Sequence, residues 1–196
     1  RTMMGFSSAN GLDFRNVSDV KAYIAVGFTA SKEVLMTRVN VVPPYTGVVL
    51  LTTNPGITVT VPMTDEDVYY ANLLMPAVGP TVINPTETIE GVEYTNLVVG
   101  KLSGTDIMGF VKDSAPKTYT NKCYLHIPSS YYNTSASAPL YDGLNMVFDD
   151  EETTGITPID NGELMIDNAY YDLNGRRVEH PTKGLYIVNG KKVIVK

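Results

Sequence analysis

Apolar and polar residues alternate in short runs along most of the chain, and proline, glycine, asparagine and threonine separate the runs. Alternation with a period of two is typical of β-strands with one buried face, whereas an amphipathic helix repeats about every 3.6 residues. The runs at 21–26 and 34–42 therefore predict the first two strands, and the Pro43-Pro44 pair ends the second because proline has no N–H to donate. One face of that second strand carries Leu35, Thr37, Val39 and Val41.

Residues 47–61 predict a β-hairpin. The run 47–51 is its first strand, Pro55-Gly56 favours a turn, and the alternating Ile57-Thr-Val-Thr-Val61 is the return strand. We expect the two strands to pair directly.

The one helix that the pattern predicts begins at Thr64, where Thr-x-x-Asp is typical of an N-terminal cap, and ends near Leu74. Asp65, Glu66 and Asp67 would lie at the positive end of its dipole. We interpret them as a solvated cap rather than a calcium site, because their spacing matches no calcium-binding loop.

Four further strand patterns follow. They occupy residues 92–99, 108–111, 123–127 and 146–148. A proline-rich connection precedes them at 76–85, and the serine- and tyrosine-rich stretch 129–141 predicts a long surface loop. Short strands at regular spacing predict an all-β fold that is either an antiparallel β-sandwich or a partly open barrel.

The composition changes at residues 149–158, where four acidic residues precede a stretch of threonine, glycine, isoleucine and proline. Such a change is typical of a domain boundary. We therefore expect a sandwich-like domain over residues 1–150 and a short C-terminal double β-hairpin over residues 151–196.

The tail contains one phrase twice, as Tyr171-Asp-Leu-Asn-Gly-Arg-Arg-Val178 and Tyr186-Ile-Val-Asn-Gly-Lys-Lys-Val193. Asn-Gly favours a two-residue type I′ turn because both central residues need positive φ, so each phrase predicts a hairpin. The second hairpin then pairs Val188 with Lys191, Ile187 with Lys192, Tyr186 with Val193 and Leu185 with Ile194. Both faces of this hairpin are apolar. A tail of about 45 residues buries only a marginal core by itself. We therefore expect the tail to pack on the first domain or on a neighbouring molecule.

The formal charge of -6 and the pI near 4.9 argue against a nucleic-acid partner, because phosphate binding depends on clustered lysine and arginine. No apolar run approaches the roughly 18 residues of a membrane-spanning helix, so we expect no transmembrane segment. The single cysteine, Cys123, lies in an apolar strand pattern, and we interpret it as a buried, unreactive thiol.

The sequence offers no arrangement typical of catalysis. The chain has two histidines. His126 lies on the same face of a predicted strand as Tyr124, and we interpret it as a structural side chain. His180 precedes Pro181 in a predicted turn. The motifs of serine hydrolases, zinc peptidases and dithiol oxidoreductases are absent. We therefore predict no enzyme, no metal and no cofactor. A glycosidase would need two carboxylates across a cleft, which sequence alone does not place.

Thirteen tyrosines remain as candidates for binding. The pairs Tyr131-Tyr132 and Tyr69-Tyr70 are our candidate ligand or partner contacts, the first because it falls in a polar loop where an aromatic pair gains little from the core. The alternative is packing, since tyrosines in strands mostly place only the hydroxyl at the rim. The chain has no tryptophan, which counts against a carbohydrate site.

Three phrases of the tail carry a resemblance: Tyr171 to Val178, Pro181-Thr-Lys-Gly-Leu-Tyr-Ile-Val188 and Asn189-Gly-Lys-Lys-Val-Ile-Val-Lys196. They resemble the C-terminal domains of exported proteins of Bacteroides, Prevotella and Porphyromonas relatives, in which a Tyr-x-Leu-x-Gly-x-x-Val hairpin and a terminal Lys-Lys-Val strand recur. The resemblance implies export and, in some members, sorting through the type IX secretion system to the cell surface.

Upstream, Val20-Lys-Ala-Tyr-Ile-Ala25 and Asn121-Lys-Cys-Tyr-Leu-His-Ile-Pro128 resemble a β module of surface proteins from gut Bacteroidales. Together the two resemblances imply an exported, non-enzymatic module of adhesion or structural type, whose partner is a protein or a glycan. The alternative is a carbohydrate-binding accessory module of a polysaccharide-utilisation system. The expected location is the cell surface or the extracellular space, with the periplasm and outer membrane as alternatives, and the oligomeric state is left open.

Overall fold

Nineteen β-strands and one short α-helix form the described parts of the chain, which in the computed structural model are residues 2–135, 142–152, 170–171, 177–178, 184–188 and 191–195. The chain divides into two compact units, residues 1–158 and 159–196. The fold is all-β, as predicted, and sandwich-like, with no closed barrel among the described residues.

The elements of the first unit are mostly short. In chain order they are β1 (Thr2–Phe6), β2 (Leu12–Asp13), β3 (Lys21–Phe28), β4 (Val34–Val39), β5 (Val41–Val42), β6 (Val48–Thr52), β7 (Leu74–Ala77), β8 (Thr81–Ile83), β9 (Thr86–Ile89), β10 (Val92–Lys101), β11 (Met108–Lys112), β12 (Lys117–Tyr119), β13 (Lys122–Pro128), α1 (Ser129–Asn133), β14 (Gly143–Leu144) and β15 (Met146–Glu152). The second unit contains β16 (Tyr170–Tyr171), β17 (Arg177–Val178), β18 (Gly184–Val188) and β19 (Lys191–Val195).

Five strands form the first sheet, in the order β1-β6-β3-β4-β15. The first four pair antiparallel, with Tyr23 of β3 opposite Val49 of β6 on one side and Arg38 of β4 on the other. β15 instead runs parallel to β4, starting with Met146 opposite Val34. A parallel neighbour needs a long crossover, and the strands of the second sheet provide it because they lie between β4 and β15 along the chain.

The second sheet has the order β14-β11-β10-β13-β7. Its central strand is β10, which pairs with β13 along one edge and with β9 and then β11 along the other. Two small ribbons complete the first unit: β8 pairs with β12, and β2 pairs with β5.

The two sheets enclose one apolar core. Both sheets and α1 contribute its buried members: Tyr23, Ala25, Val34, Met36, Val49, Leu51, Leu74, Leu97, Phe110, Cys123, Leu125, Ile127, Tyr132 and Leu144. At its margin, the rings of Tyr23 and Phe148 meet edge to face with their centroids 4.8 Å apart. A core shared between two inner faces is the defining feature of a sandwich.

The outer faces of both sheets are covered as well. Behind the first sheet, Phe14 packs with Ile24 and Val39 in a second apolar cluster. Behind the second sheet, Ile83 packs with Val98 in a third, which lies under the β8–β12 ribbon. β3 is buried on both faces, with Ala22 to Ala25 buried in succession. The strand predicted at 21–26 is therefore present, but the alternation expected for it is wrong, because a strand covered on both sides is a continuous apolar run.

The predicted return strand at 57–61 is wrong, because these residues belong to no strand. β6 lies between β1 and β3, and both partners pair with it antiparallel. Since both edges of β6 are occupied, a hairpin return has no place beside it. Residues 57–61 instead lie outside the sheet.

The predicted helix from Thr64 to Leu74 is also wrong. The Thr64 hydroxyl does accept a hydrogen bond from the N–H of Glu66 at 3.1 Å, but the chain continues without a helix to β7. The single helix of the described residues is α1, within the stretch predicted as a loop; residues 136–141 of that stretch lie outside the described residues.

The strands predicted at 21–26, 47–51, 92–99, 108–111, 123–127 and 146–148 are confirmed, with small differences in length. The strand predicted at 34–42 is divided at Asn40 into β4 and β5, so Val41 pairs in a ribbon with β2 instead of continuing the face of Val39. Sequence reasoning did not predict β1, β7 or β9, or the short strands β2, β8, β12 and β14.

The second unit is a four-stranded sheet in the order β17-β16-β18-β19. The register predicted for the second hairpin is confirmed, from Val188 opposite Lys191 to Leu185 opposite Ile194. In the first phrase, Tyr171 pairs with Arg177, whereas a two-residue Asn-Gly turn would pair it with Val178. Both Asn-Gly turns and His180 lie outside the described residues, and the packing of the tail stays a prediction.

Candidate functional site

Two segments of the first unit, residues 43–47 and 68–74, line a cleft of about 260 Å³ that we call the tyrosine cleft. Its lining residues are Pro43, Pro44, Tyr45, Thr46, Gly47, Val68, Tyr69, Tyr70, Asn72 and Leu74. Two of the four predicted contact residues, Tyr69 and Tyr70, are therefore brought together here, and a third tyrosine joins them.

The first wall follows β5. Pro43 and Pro44 end that strand, and Tyr45 then takes a left-handed backbone conformation with φ of 55°. The N–H of Tyr45 donates a hydrogen bond to the carbonyl of Ser8 at 2.8 Å, which holds this turn against the segment after β1. The Tyr45 side chain is 64% exposed. A bulky residue thus occupies a strained position while gaining little contact from the fold.

The second wall leads into β7. Val68 is buried and Tyr70 packs against the Phe14 cluster behind the first sheet, whereas Tyr69 between them is 68% exposed. The segment is extended, so neighbouring side chains point to opposite sides. The burial of Val68 and Tyr70 therefore presents the Tyr69 ring to solvent.

Asn72 joins the two walls. Its Nδ2 donates to the carbonyl of Gly47 at 2.8 Å, and its Oδ1 accepts from the N–H groups of Ala25 at 3.2 Å and Leu74 at 3.0 Å. The side chain therefore fixes both walls to β3. Its hydrogen-bonding capacity is largely used by the backbone, so the cleft offers mainly aromatic rings to a partner.

Charged groups anchor the chain just before the second wall. Arg15 forms ion pairs with Asp13 at 2.7 Å and with Glu66 at 2.9 Å. The hydrogen bonds from Arg15 lower the pKa of the Asp13 carboxyl, and the same contact raises the pKa of the guanidinium. Glu66 is thus an ion-pair partner rather than part of a helix cap, while Asp65 and Asp67 are exposed.

Tyr131 and Tyr132 do not line the cleft. Tyr132 is only 7% exposed and belongs to the sandwich core, so the expectation that this pair gains little from the core is wrong for it. The Tyr131 ring lies 4.6 Å from that of Phe28, and the Lys32 Nζ lies 4.7 Å above the Tyr131 ring. The short helix α1 directs Tyr132 inward, which a polar loop would not do.

His126 has the surroundings of a structural side chain. Its Nδ1 lies 2.7 Å from Asn96 Oδ1 and 3.4 Å from Glu87 Oε1, and its ring stacks on Tyr94 with centroids 4.3 Å apart. Asn96 Nδ2 in turn donates to Glu87 and to the carbonyl of Asn84, each at 2.9 Å. The imidazole therefore closes a hydrogen-bond network that links β9, β10 and β13.

Cys123 is buried in the core, as predicted. Its thiol donates to the carbonyl of Val48 at 3.1 Å, and burial raises its pKa to about 12. Gly47 approaches it so closely that an added Cβ would lie 2.9 Å from the Cβ of Cys123. The end of the first wall is therefore packed directly on the core.

The described residues contain no group of three or more side chains suited to hold a metal ion. Within those same residues no helix has both the length and the apolar character to cross a membrane. Neither protein-family models, nor curated proteins, nor solved structures give a significant match to this chain.

Proposed function

We propose that the protein is an exported, non-enzymatic binding module of the cell surface, of adhesion type, that contacts a partner protein through the tyrosine cleft. One observation carries the proposal: Tyr45 and Tyr69 are each about two-thirds exposed and line the same cleft, whose two walls are joined by the hydrogen bond from Asn72 to Gly47. The resemblance of the tail and of the β module to Bacteroidetes surface proteins supports export.

Exposed tyrosines at a rigid site favour recognition over folding. A tyrosine has few rotatable bonds and a large amphipathic surface, so it gains binding energy at a small entropic cost and is enriched at the centres of protein interfaces. The fold gains little from either ring, and the left-handed backbone at Tyr45 costs stability. A contact made outside the chain gives both features a physical reason.

A carbohydrate-binding accessory module is the second candidate, because exposed aromatic rings also stack on sugar rings. Sugar sites add polar side chains that bond the hydroxyl groups of the ligand. In the tyrosine cleft, Asn72 already bonds three backbone groups. The protein partner is therefore the preferred proposal.

The test compares two double variants in adhesion assays with purified, bead-coupled protein on host-cell and bacterial surfaces. Tyr45→Ala with Tyr69→Ala removes both rings of the cleft, and Val82→Ala with Ile107→Ala removes two exposed apolar side chains elsewhere. We expect the first to abolish adhesion and the second to preserve it. A glycan array on the same proteins distinguishes the two candidates.

Adhesion that is equal in both double variants would contradict the role of the cleft. Glycan binding that depends on Tyr45 and Tyr69 would replace the protein partner by the carbohydrate candidate. Export is tested separately, by protease treatment of intact source cells. A product that stays fully protected until the cells are lysed would contradict surface location.

A further inference from the structure

A second cavity, which we call the apolar groove, follows the outer face of β1 and β6 and has a volume of about 460 Å³. Its floor is built from cross-strand pairs, with Met4 opposite Leu50 and Thr2 opposite Thr52. Phe6 and Phe14 extend the apolar part of the lining. A volume of this size lies within the range of small-molecule sites, roughly 300–1,000 Å³.

The polar groups of the apolar groove lie together at one end. Thr2 and Thr52 face each other where β1 begins and β6 ends, and Asn54 follows two residues later. Among the described residues, the side-chain amide of Asn54 makes no hydrogen bond. The Thr52 hydroxyl bonds the backbone of Asn54, so the Asn54 amide and the Thr2 hydroxyl are the groups at this end that can bond a polar group of a ligand. The rest of the groove contacts an apolar body.

Residues 57–61 form the outer wall of the groove. Ile57, Val59 and Val61 line it, whereas Thr58 and Thr60 between them are exposed and do not. No hydrogen bond joins residues 57–61 to another described residue. Of this wall, Val61 packs against the Phe14 cluster, and the wall can separate from the floor without breaking sheet hydrogen bonds.

We propose that the apolar groove binds a neutral amphiphile, a molecule with an aliphatic body and one uncharged hydrogen-bonding head. The body lies between the Met4–Leu50 floor and Val59. The head lies beside Thr52 and Asn54.

The charge of the lining decides the class of ligand. Among the described residues, none of those that line the groove is ionisable, so a carboxylate or ammonium head would find no counter-ion there. A hydroxyl or amide head can bond the Thr2 and Asn54 side chains and needs no counter-ion. The lining therefore favours alcohols and amides over fatty acids and amines.

The experiment uses the full chain and three probes with the same tail: decanol, decanoate and decylamine. Each probe displaces fluorescent N-phenylnaphthylamine from the protein at neutral pH. We expect decanol to displace the dye saturably. We expect each of the two charged probes to bind at least about tenfold more weakly than decanol. Absence of displacement by decanol would overturn the proposal, and decanoate binding as tightly as decanol would overturn the neutral head.

Two variants of the outer wall form a matched pair. Val59→Trp fills the groove, whereas Thr58→Trp places the same side chain on the solvent side of the same segment. We expect Val59→Trp to weaken decanol binding about tenfold or more and Thr58→Trp to leave it unchanged. Val59→Ala, which widens the groove, should retain binding. Equal binding by Val59→Trp and the unchanged chain would place the ligand elsewhere and overturn the proposal.

Discussion

The side-chain amide of Asn72 donates a hydrogen bond to the carbonyl of Gly47 at 2.8 Å and so joins the two walls of the tyrosine cleft. Gly47 in turn lies against Cys123, so the same contact connects the cleft to the sandwich core. The positions of the exposed tyrosines therefore depend on a residue that contributes no aromatic surface itself.

Asn72→Ala should lower the free energy of unfolding by about 2 kcal/mol, because three backbone groups lose their partner in a partly buried setting. Asn54→Ala is the control, since that side chain makes no hydrogen bond among the described residues, and it should change stability by less than about 0.5 kcal/mol. Urea denaturation measures both. Similar losses in the two variants would show that the Asn72 contacts are not specific.

Tyr45→Gly should be more stable than Tyr45→Ala by about 1 kcal/mol. Both variants remove the exposed ring, but only glycine adopts a φ of 55° without steric cost, so the comparison isolates the backbone. Both should lose adhesion to the same extent. An alanine variant as stable as the glycine variant would mean that the turn relaxes when the ring is removed.

The stability of the protein should fall as pH rises from 9 towards 12 partly through Cys123. Its pKa of about 12 in the folded chain exceeds the ordinary value of 9.0, so the folded state holds the thiol proton where the unfolded state has released it. The contribution of the Cys123 thiol to the free energy of unfolding is complete below pH 9 and decreases by up to about 1.4 kcal/mol per pH unit above it. The stability advantage over Cys123→Ser should shrink across this range in urea melts, and a constant difference would contradict the assignment.

The Asp13 carboxyl should titrate below its ordinary pKa of 3.8 because Arg15 bonds its charged form. A lowered pKa means that the stabilisation is present above about pH 4 and is lost as pH falls through the folded-state value. Arg15→Gln should return the pKa of Asp13 to the ordinary range, and NMR titration of the carboxyl group measures this pKa. Glu66→Gln leaves the Asp13–Arg15 pair intact and should keep the pKa of Asp13 low.

The repeated Asn-Gly phrase shows how far local chemistry predicts register. From Val188 opposite Lys191 onward, the second copy has the pairing that a two-residue turn requires. In the first copy the register differs by one residue, and Tyr171 also pairs with Ile187 of the neighbouring hairpin. A strand between two partners must satisfy both, so turn preference alone does not set its register.

The errors in the first unit have the same origin. Residues 57–61 alternate like a strand, but strand formation needs a free sheet edge, and the sequence does not reveal that β1 occupies the edge of β6. Tyr132 reads as a loop residue because its neighbours are polar, yet one helical turn directs it into the core. Local pattern predicts what a segment can form and not which neighbours it meets.

Part of the candidate site could be predicted from the sequence alone. Tyr69-Tyr70 stood out as a doublet, and the structure separates them into an exposed ring and a packed one. Tyr45 gave a weaker signal, a single aromatic residue after two prolines. Its exposure follows from a left-handed backbone and a hydrogen bond to Ser8, and neither can be read from residue types alone.

The isolation of Cys123 has a practical consequence for spectroscopy. The chain contains one cysteine, and a buried thiol with a raised pKa supplies almost no thiolate at neutral pH. A cysteine introduced at Thr58 would then take up a maleimide spin label or dye without competition from the native thiol. Such a label would report the movement of residues 57–61 in the otherwise unaltered chain.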